Sequence, residues 1–171
     1  KVKFHWDRSG KKDGTSSCWV RVSQSWAGKG WGVLFLPRIG QEVVVTFLEG
    51  DPDRPLITGS VYNADGMPPN ELPANKTIST VKSNSSPGSG GFNEIRLEDK
   101  KGEEKIFIHG EKDLDLRVKN DSVGWIGRDQ HRIVKGNQVD HVEKDRHEKI
   151  DGGHVESIGK DRNLKITGME A

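Results

Sequence analysis

The sequence of 171 residues predicts an all-β protein in which a small barrel is followed by a long threefold rod. Two observations lead to this prediction. In the first 62 residues, short segments of alternating apolar and polar residues are separated by turns rich in Gly and Pro. In the last third of the chain, one aliphatic residue recurs at every eighth position, and the residues between are mostly charged residues, Gly and Asn.

The rod is predicted from this octad repeat. A helical stripe needs apolar residues three and four apart, whereas β-branched residues followed by Gly, Asp or Asn are typical of short strands and turns. Asp129, Asp145 and Asp161 add a second period of sixteen residues. Seven aliphatic residues form what we call the octad column: Val118, Ile126, Val134, Val142, Ile150, Ile158 and Ile166.

Three copies of the chain are required to give this repeat an interior. Eight extended residues span roughly 26 Å, and a triangle of that perimeter has sides of about 9 Å, whereas packed sheets stand about 10 Å apart. One octad therefore forms one wall, and a single chain using three octads per turn completes only about two turns here. We predict an intertwined homotrimeric triple-stranded β-helix in which the octad column is the trimer axis and the charged residues face water.

The barrel is predicted from five strand patterns in the first part of the chain. Turns such as Trp26–Gly32 and Glu49–Pro55 separate them. Five short strands in about sixty residues fit a five-stranded Greek-key barrel of the OB-fold type. The patterns are Val2–Trp6, Cys18–Ser23, Val33–Leu36, Glu42–Leu48 and Leu56–Tyr62.

Composition changes divide the chain into four segments. The barrel occupies 1–62, a linker rich in Pro, Ser and Gly occupies 63–91, strands at the entrance to the rod occupy 92–117, and the octad rod occupies 118–171. The entrance contains two alternating apolar pairs on either side of a polar turn, which predict a hairpin. These pairs are Ile95 with Leu97 and Ile106 with Ile108.

The overall composition bounds the possible functions. The chain has 27 basic and 26 acidic residues, and this net charge of +1 disfavours a dedicated nucleic-acid-binding protein. The single Cys18 excludes an intrachain disulfide and a multi-cysteine zinc site. No apolar run spans a membrane and no signal peptide is present. Because the chain opens on Lys1 without Met and ends inside the repeat, we expect a piece of a longer protein.

Two loops have a functional interpretation that competes with a structural one. Gly28-Lys29-Gly30 lacks the spacing of a phosphate-binding loop, so a turn flanked by packed indoles is favoured. Glu49, Asp51 and Asp53 carry the oxygen ligands that a cation prefers, but Asp-Pro-Asp-Arg-Pro is first a turn sequence. We therefore predict no cofactor and no metal site in this part of the chain.

The histidines of the rod are the third candidate. His131 and His147 each lie three residues before a residue of the octad column. Pointing inward, they would bring three imidazoles together around the axis, where these would bind a metal or an anion. An odd offset along a strand places them on the opposite face, so we expect solvated histidines unless a kink intervenes. No catalytic constellation has supporting motif context, and we predict that the protein is not an enzyme.

Three long motifs resemble the VgrG family, the valine-glycine repeat spike proteins of type VI secretion. The first is Cys18–Gly32, with the sequence CWVRVSQSWAGKGWG, and the second is Pro37–Val45 followed by Leu48–Pro55. Phe92–Glu104 is similar to the family's entrance into the β-helix. The resemblance covers essentially the whole chain, although Ile, Glu and Asp often replace the Val and Gly of a strict repeat.

The resemblance implies a homotrimeric spike related to the central spike of contractile phage tails. In the family, a domain upstream of the barrel connects to the tube of stacked Hcp rings and the baseplate. A PAAR-type protein caps the tip, and effectors ride on the tip or as C-terminal extensions. The resemblance further implies a protein of the bacterial cytoplasm that is translocated into the target cell on firing and meets the target membrane only transiently.

The expected function is mechanical, because sheath contraction would drive a stiff rod through the target envelope. Two alternatives stay open. An OB-fold module that binds nucleic acid would need a basic groove lined by aromatic residues. A phage-tail spike with cell-wall hydrolase activity would release peptidoglycan fragments, but the linker over 63–91 is far too short for the lysozyme that phage relatives carry there.

Overall fold

A computed structural model describes residues 1–88 and 90–168. Ser89 of the predicted linker and residues 169–171 of the predicted rod lie outside these ranges. The chain divides into two units, Lys1–Leu116 and Arg117–Ala171, and each is described by itself. In the described ranges, no helix has the length and apolarity needed to cross a membrane.

The first sheet lies in the predicted barrel and contains three strands. Strands β1 (Arg21–Val22), β2 (Glu42–Phe47) and β3 (Pro55–Val61) are arranged in the order β1-β3-β2. β3 pairs with β1 in parallel and with β2 in antiparallel, with a bulge between Val44 and Val45. Ile57 of β3 is buried because it is paired on both sides.

Two of the five predicted strands are not hydrogen-bonded into this sheet. Val2–Trp6 is held by side chains instead: Phe4 stacks on Phe47 of β2 with a centroid distance of 6.1 Å, and the Val2 N–H donates to Ser17 Oγ at 2.9 Å. Val33–Leu36 is paired by a side chain: the Phe35 N–H donates to Gln24 Oε1 at 2.9 Å, and Gln24 Nε2 donates to the Phe35 carbonyl at 3.1 Å. The apolar patterns therefore marked extended backbone here, but not its partners.

The loop over Trp26–Gly32 closes on itself as a tight turn. The Gly28 N–H donates to the Trp31 carbonyl at 2.9 Å, and the Val33 N–H donates to the Trp26 carbonyl at 2.9 Å. The two indoles meet edge to face at 5.1 Å. Gly32 has a φ of +135° and no space for a Cβ against the Trp26 carbonyl, so the turn requires glycine at this position. The turn interpretation of this loop is confirmed.

The second sheet lies at the entrance to the predicted rod. Strands β4 (Ile78–Lys82), β5 (Glu94–Glu98) and β6 (Lys105–His109) form an antiparallel sheet in the order β4-β5-β6. The predicted hairpin is strands β5 and β6. Strand β4 was not predicted, because its sequence ISTVK has only weak alternation and lies inside the predicted linker over 63–91.

The second unit is an extended chain that bends at a fixed interval. Pairs of residues at 119–120, 127–128, 135–136, 143–144, 151–152 and 159–160 bend the chain, and six residues without a bend lie between successive pairs. Each octad is therefore one straight segment of six residues followed by a bend of two. The same bend occurs at 111–112, one octad before Val118.

The backbone of these bends explains why the repeat tolerates residues other than glycine. Within 118–168, no residue has a positive φ. A Cβ added at Gly136 or Gly152, both in bends, would meet no atom of the same chain within 4 Å. Lys144 and Lys160 occupy the same position in other octads without strain. The departure from a strict Val-Gly repeat therefore leaves the octad geometry intact.

Candidate trimer interface

The octad column occupies one equivalent position in every repeat. Six of its seven residues, Val118 to Ile158, are each the last of a six-residue straight segment, immediately before the bend, and Ile166 has the same spacing with the next bend at residue 168. Their exposed fractions lie between 43% for Val134 and 55% for Ile126. One half of each aliphatic side chain is thus covered by its own chain, and the other half is open along a continuous column.

The opposite face of the same segments is more exposed. Val123, Val139 and Val155, each three residues before a column residue, are 87% to 93% exposed. His131 and His147 share that position, and no bend lies between either of them and the column residue that follows. The histidines are therefore on the face opposite to the column, as the odd offset predicts.

The octad segment over the described residues 118–168 leaves its backbone without partners in the same chain. Over the described residues 118–168 there is no strand and no backbone–backbone hydrogen bond. Extended chains normally pair their N–H and C=O groups in a sheet, and unpaired groups that become buried cost free energy. A regular, extended, unpaired segment of this length is an edge prepared for pairing with further chains.

The sheet of strands β4 to β6 has one apolar face that nothing in the described chain covers. Cross-strand register places Val81 beside Ile95, Ile95 beside Ile108, and Leu97 beside Ile106. These five side chains are 40% to 71% exposed. Contiguous exposed apolar patches of this kind mark interaction sites more often than free surface.

The other face of that sheet is polar and locked by side-chain bonds. Glu94 is buried, accepts a hydrogen bond of 2.9 Å from Thr80 Oγ1, and lies 3.7 Å from Arg96 Nη1. Arg96 lies over the Phe107 ring at 4.8 Å. Sequence analysis did not single out Glu94, because in an alternating strand it looks like any other charged residue.

One carboxylate at the end of β5 has a shifted acidity. The hydroxyl of Thr77 donates to Glu98 Oε1 at 2.5 Å, and the Lys100 N–H donates to the same oxygen at 2.9 Å. These bonds hold the pKa of Glu98 below its usual value, the Thr77 bond being the larger cause. Glu98 is thus kept ionised at the corner of the β5–β6 hairpin.

The acidic turn of the barrel is held by its own side chains. Arg54 Nη1 lies 3.1 Å from Glu49 Oε2, and the Asp53 N–H donates to Asp51 Oδ1 at 2.9 Å. These contacts agree with the turn interpretation of Glu49, Asp51 and Asp53. In the part of the chain that the structure describes, no three His, Cys, Asp or Glu side chains come close enough to hold a metal ion.

Two protein families match this chain. Residues 79–171 match the bacteriophage T4 gp5 C-terminal trimerisation domain. Residues 1–62 match the type VI secretion system/phage-baseplate injector OB domain. The first match includes both the sheet of strands β4 to β6 and the octad repeat. Together the matches confirm the predicted fold class, an OB-type barrel followed by a trimeric β-helix.

Proteins similar to this chain include relatives from two bacterial species. The type VI secretion system spike protein VgrG1b of Pseudomonas aeruginosa is 60% identical over 136 residues, which are 78% of this chain and 18% of that protein. VgrG1c of the same species is 59% identical over 136 residues, which are 78% of this chain and 19% of that protein. The actin cross-linking toxin VgrG1 of Vibrio cholerae is 47% identical over 134 residues, 78% of this chain and 12% of the toxin. The chain thus spans less than a fifth of the length of these relatives.

Proposed function

Because the chain belongs to the family of the bacteriophage T4 gp5 C-terminal trimerisation domain and is VgrG-like in sequence, we propose that it is part of a homotrimeric spike. Driven by a type VI secretion system, this spike punctures target envelopes and carries effectors. The observation that supports this most is the extended octad segment with no backbone hydrogen bond of its own over the described residues 118–168. Two further copies would supply the missing partners.

The octad column is proposed as the trimer axis. Its seven side chains, from Val118 to Ile166, each have about half of their surface open, and packing around a threefold axis would cover it. Burial of the remaining half stabilises by about 1 kcal/mol per side chain. The sheet of strands β4 to β6 would bury its apolar face, which includes Ile95 and Ile106, against the same two copies.

This construction suits a mechanical function. Walls closed by hydrogen bonds between copies leave few free edges, and interiors packed at protein density resist compression. The face opposite to the column keeps charged residues such as Lys149 in water, with its side chain 86% exposed, and thereby keeps a long rod soluble. A non-enzymatic role is proposed on the similarity of the chain to structural spike proteins.

The partners are proposed from the resemblance to the VgrG family. A domain upstream of the barrel would join the spike to the Hcp tube and the baseplate, and a PAAR-type protein would cap the tip. The spike would wait in the bacterial cytoplasm before firing and enter the target cell afterwards. Effectors or adaptors would be carried with it, and no nucleic acid is required at any step.

A transplant tests the proposed function. When this chain replaces the matching segment of VgrG1b in Pseudomonas aeruginosa, we expect the chimera to be released into the medium in amounts close to those of the parent spike. The reason is that the two chains are 60% identical over the matched residues, so we expect the segment to fold in the same way within the chimera. Immunoblots of culture supernatants measure the release, and the chimera carrying Val142→Asp is the control that should lose it. A chimera that is trimeric in extracts but never released would contradict the proposal.

A further inference from the structure

The bends place charged residues on the same face as the octad column. Alternate residues of a straight segment share a face, so residues two and four positions before a column residue point to the same side as that residue. Two positions before lie Leu116, Gly124, Arg132, Asp140, Glu148, Glu156 and Leu164. Four positions before lie Leu114, Ser122, Gln130, Gln138, Arg146, His154 and Arg162. The leucines at the ends agree with an inward face, yet the middle of both sets is ionic.

The acids and bases of this face are spaced regularly. Asp140 and Arg146, Glu148 and His154, and Glu156 and Arg162 are each six residues apart, and each pair follows the previous one after eight residues. The acid lies two residues before the end of one straight segment, and the base is the second residue of the next segment. The same acid–base relation is therefore repeated in three successive octads.

Contacts within one chain already bring these charges together. Arg162 Nη1 lies 3.1 Å from Glu156 Oε2, and Arg146 Nη2 lies 3.2 Å from Glu148 Oε2. The side chains of Glu148 and Glu156 are 53% and 43% exposed, whereas Lys149, on the opposite face, is 86% exposed. Both carboxylates thus keep open surface in the single chain, even though each is ion-paired.

We propose that this inner ionic ladder recognises the other two copies of the chain and fixes their register. The proposal rests on the proposed homotrimer. The residues are Arg132, Asp140, Arg146, Glu148, Glu156 and Arg162, with His154 at the equivalent position of one octad. Around a threefold axis each residue meets its own two copies, so a layer of three glutamates is stable only when bases of the same or neighbouring layers lie beside it.

Charge complementarity allows the ionic ladder to select the register of the three copies, which the octad column cannot do. A slip of one copy by eight residues would put another Val or Ile in every column position, so the column does not distinguish the slipped from the correct register. The same slip would put Arg132 where Asp140 belongs and would break the order of acids and bases. Buried polar residues at selected positions specify register in this way in coiled coils.

A double-mutant cycle tests the pairing in the 171-residue chain. We expect the Glu156→Gln and Arg162→Gln substitutions each to lower the melting temperature of the trimer by roughly 5 °C or more, when the unfolding is followed in the presence of urea. Each substitution removes one member of the pair and leaves the charge of the other member buried without a partner. The double variant should lose less than the sum of the two. Lys149→Gln, on the opposite face, is the matched control and should change the melting temperature by less than about 2 °C.

A spin-label measurement tests the register. The nitroxide is attached to the cysteine of the Lys149→Cys variant, in which Cys18→Ser removes the native thiol. We expect one narrow distribution of distances between the labels of different copies in the otherwise unchanged chain. When Glu148 and Glu156 are both replaced by Gln, we expect several distances. A wild-type chain that is monomeric would defeat the proposed homotrimer itself. If the wild type is trimeric, but the Glu156 and Arg162 variants have the melting temperature of the Lys149→Gln variant and the spin-label distance does not change, the ionic ladder is overturned and the homotrimer is not.

Discussion

Val142→Asp is expected to abolish assembly of the trimer. Val142 ends the straight segment 137–142 and belongs to the octad column. The substitution removes an aliphatic side chain worth about 1.5–3 kcal/mol when buried and places three carboxylates together on the axis, where like charges without partners cost several kcal/mol each. Light scattering at micromolar concentration should then find a single chain instead of three.

Val139→Asp is the matched control for this experiment. Val139 is three residues earlier in the same segment, lies on the opposite face, and is 87% exposed. The same chemical change at this position should therefore leave the trimer intact and alter its stability by no more than about 0.5 kcal/mol. Equal melting temperatures of the Val142→Asp and wild-type trimers would show that Val142 is not axial.

Deletion of one whole octad is expected to be tolerated. Removal of 145–152 takes out one straight segment together with its bend and joins Lys144 to Gly153, so every later residue keeps its phase. The trimer loses one layer per copy and shortens, but its walls and column stay continuous. We expect a trimer by light scattering, with a moderately lower melting temperature and a protease-resistant rod.

Deletion of half an octad is expected to be destructive. Removal of 145–148 leaves a segment of two residues, Lys149 and Ile150, between two bends. Such a segment is too short to form one wall, and the column beyond Val142 is lost from the axis. Trypsin should then cut freely after residue 144 while the N-terminal part survives. Equal protease resistance of the two deletion variants would contradict the octad as the structural unit.

The period of the rod could be predicted from the sequence because one physical requirement repeats in every octad. Each octad needs a β-branched or similar aliphatic residue before its bend, and Val118, Ile126 and their successors provide it without a gap. The position of the bends was not predictable from glycine, since the bends adopt no positive φ and accept Lys or Arg as readily as Gly.

The facing of the charged residues stays a prediction for the rod. From the sequence we expect the charges of the octads to face water, because exposed charges are the rule. The parity of the bends supports a different proposal for Asp140, Glu148 and Glu156, which it places on the face of the column. This parity follows only once the six-residue segments are located, and a repeat of eight does not say where its bend falls.

In the barrel and in the entrance sheet, the sequence pattern located extended segments but not all of their pairing partners. The apolar patterns located β2, β3, β5 and β6, where the partners are strands of similar pattern. They did not give the partner of Val33–Leu36, where the Gln24 side chain binds Phe35, and they missed β4, whose Ser and Thr residues pair with β5. Extended backbone is a local property, whereas pairing depends on what the rest of the chain brings alongside.

The mass of the chain in solution is the most direct test of the threefold rod. The octad segment has no backbone partner of its own over the described residues 118–168, and each residue of its column is half open. Light scattering of the purified chain at micromolar concentration should therefore return three times the mass of one chain. A particle with the mass of a single chain would contradict the rod in its central feature, because one polypeptide cannot enclose that column.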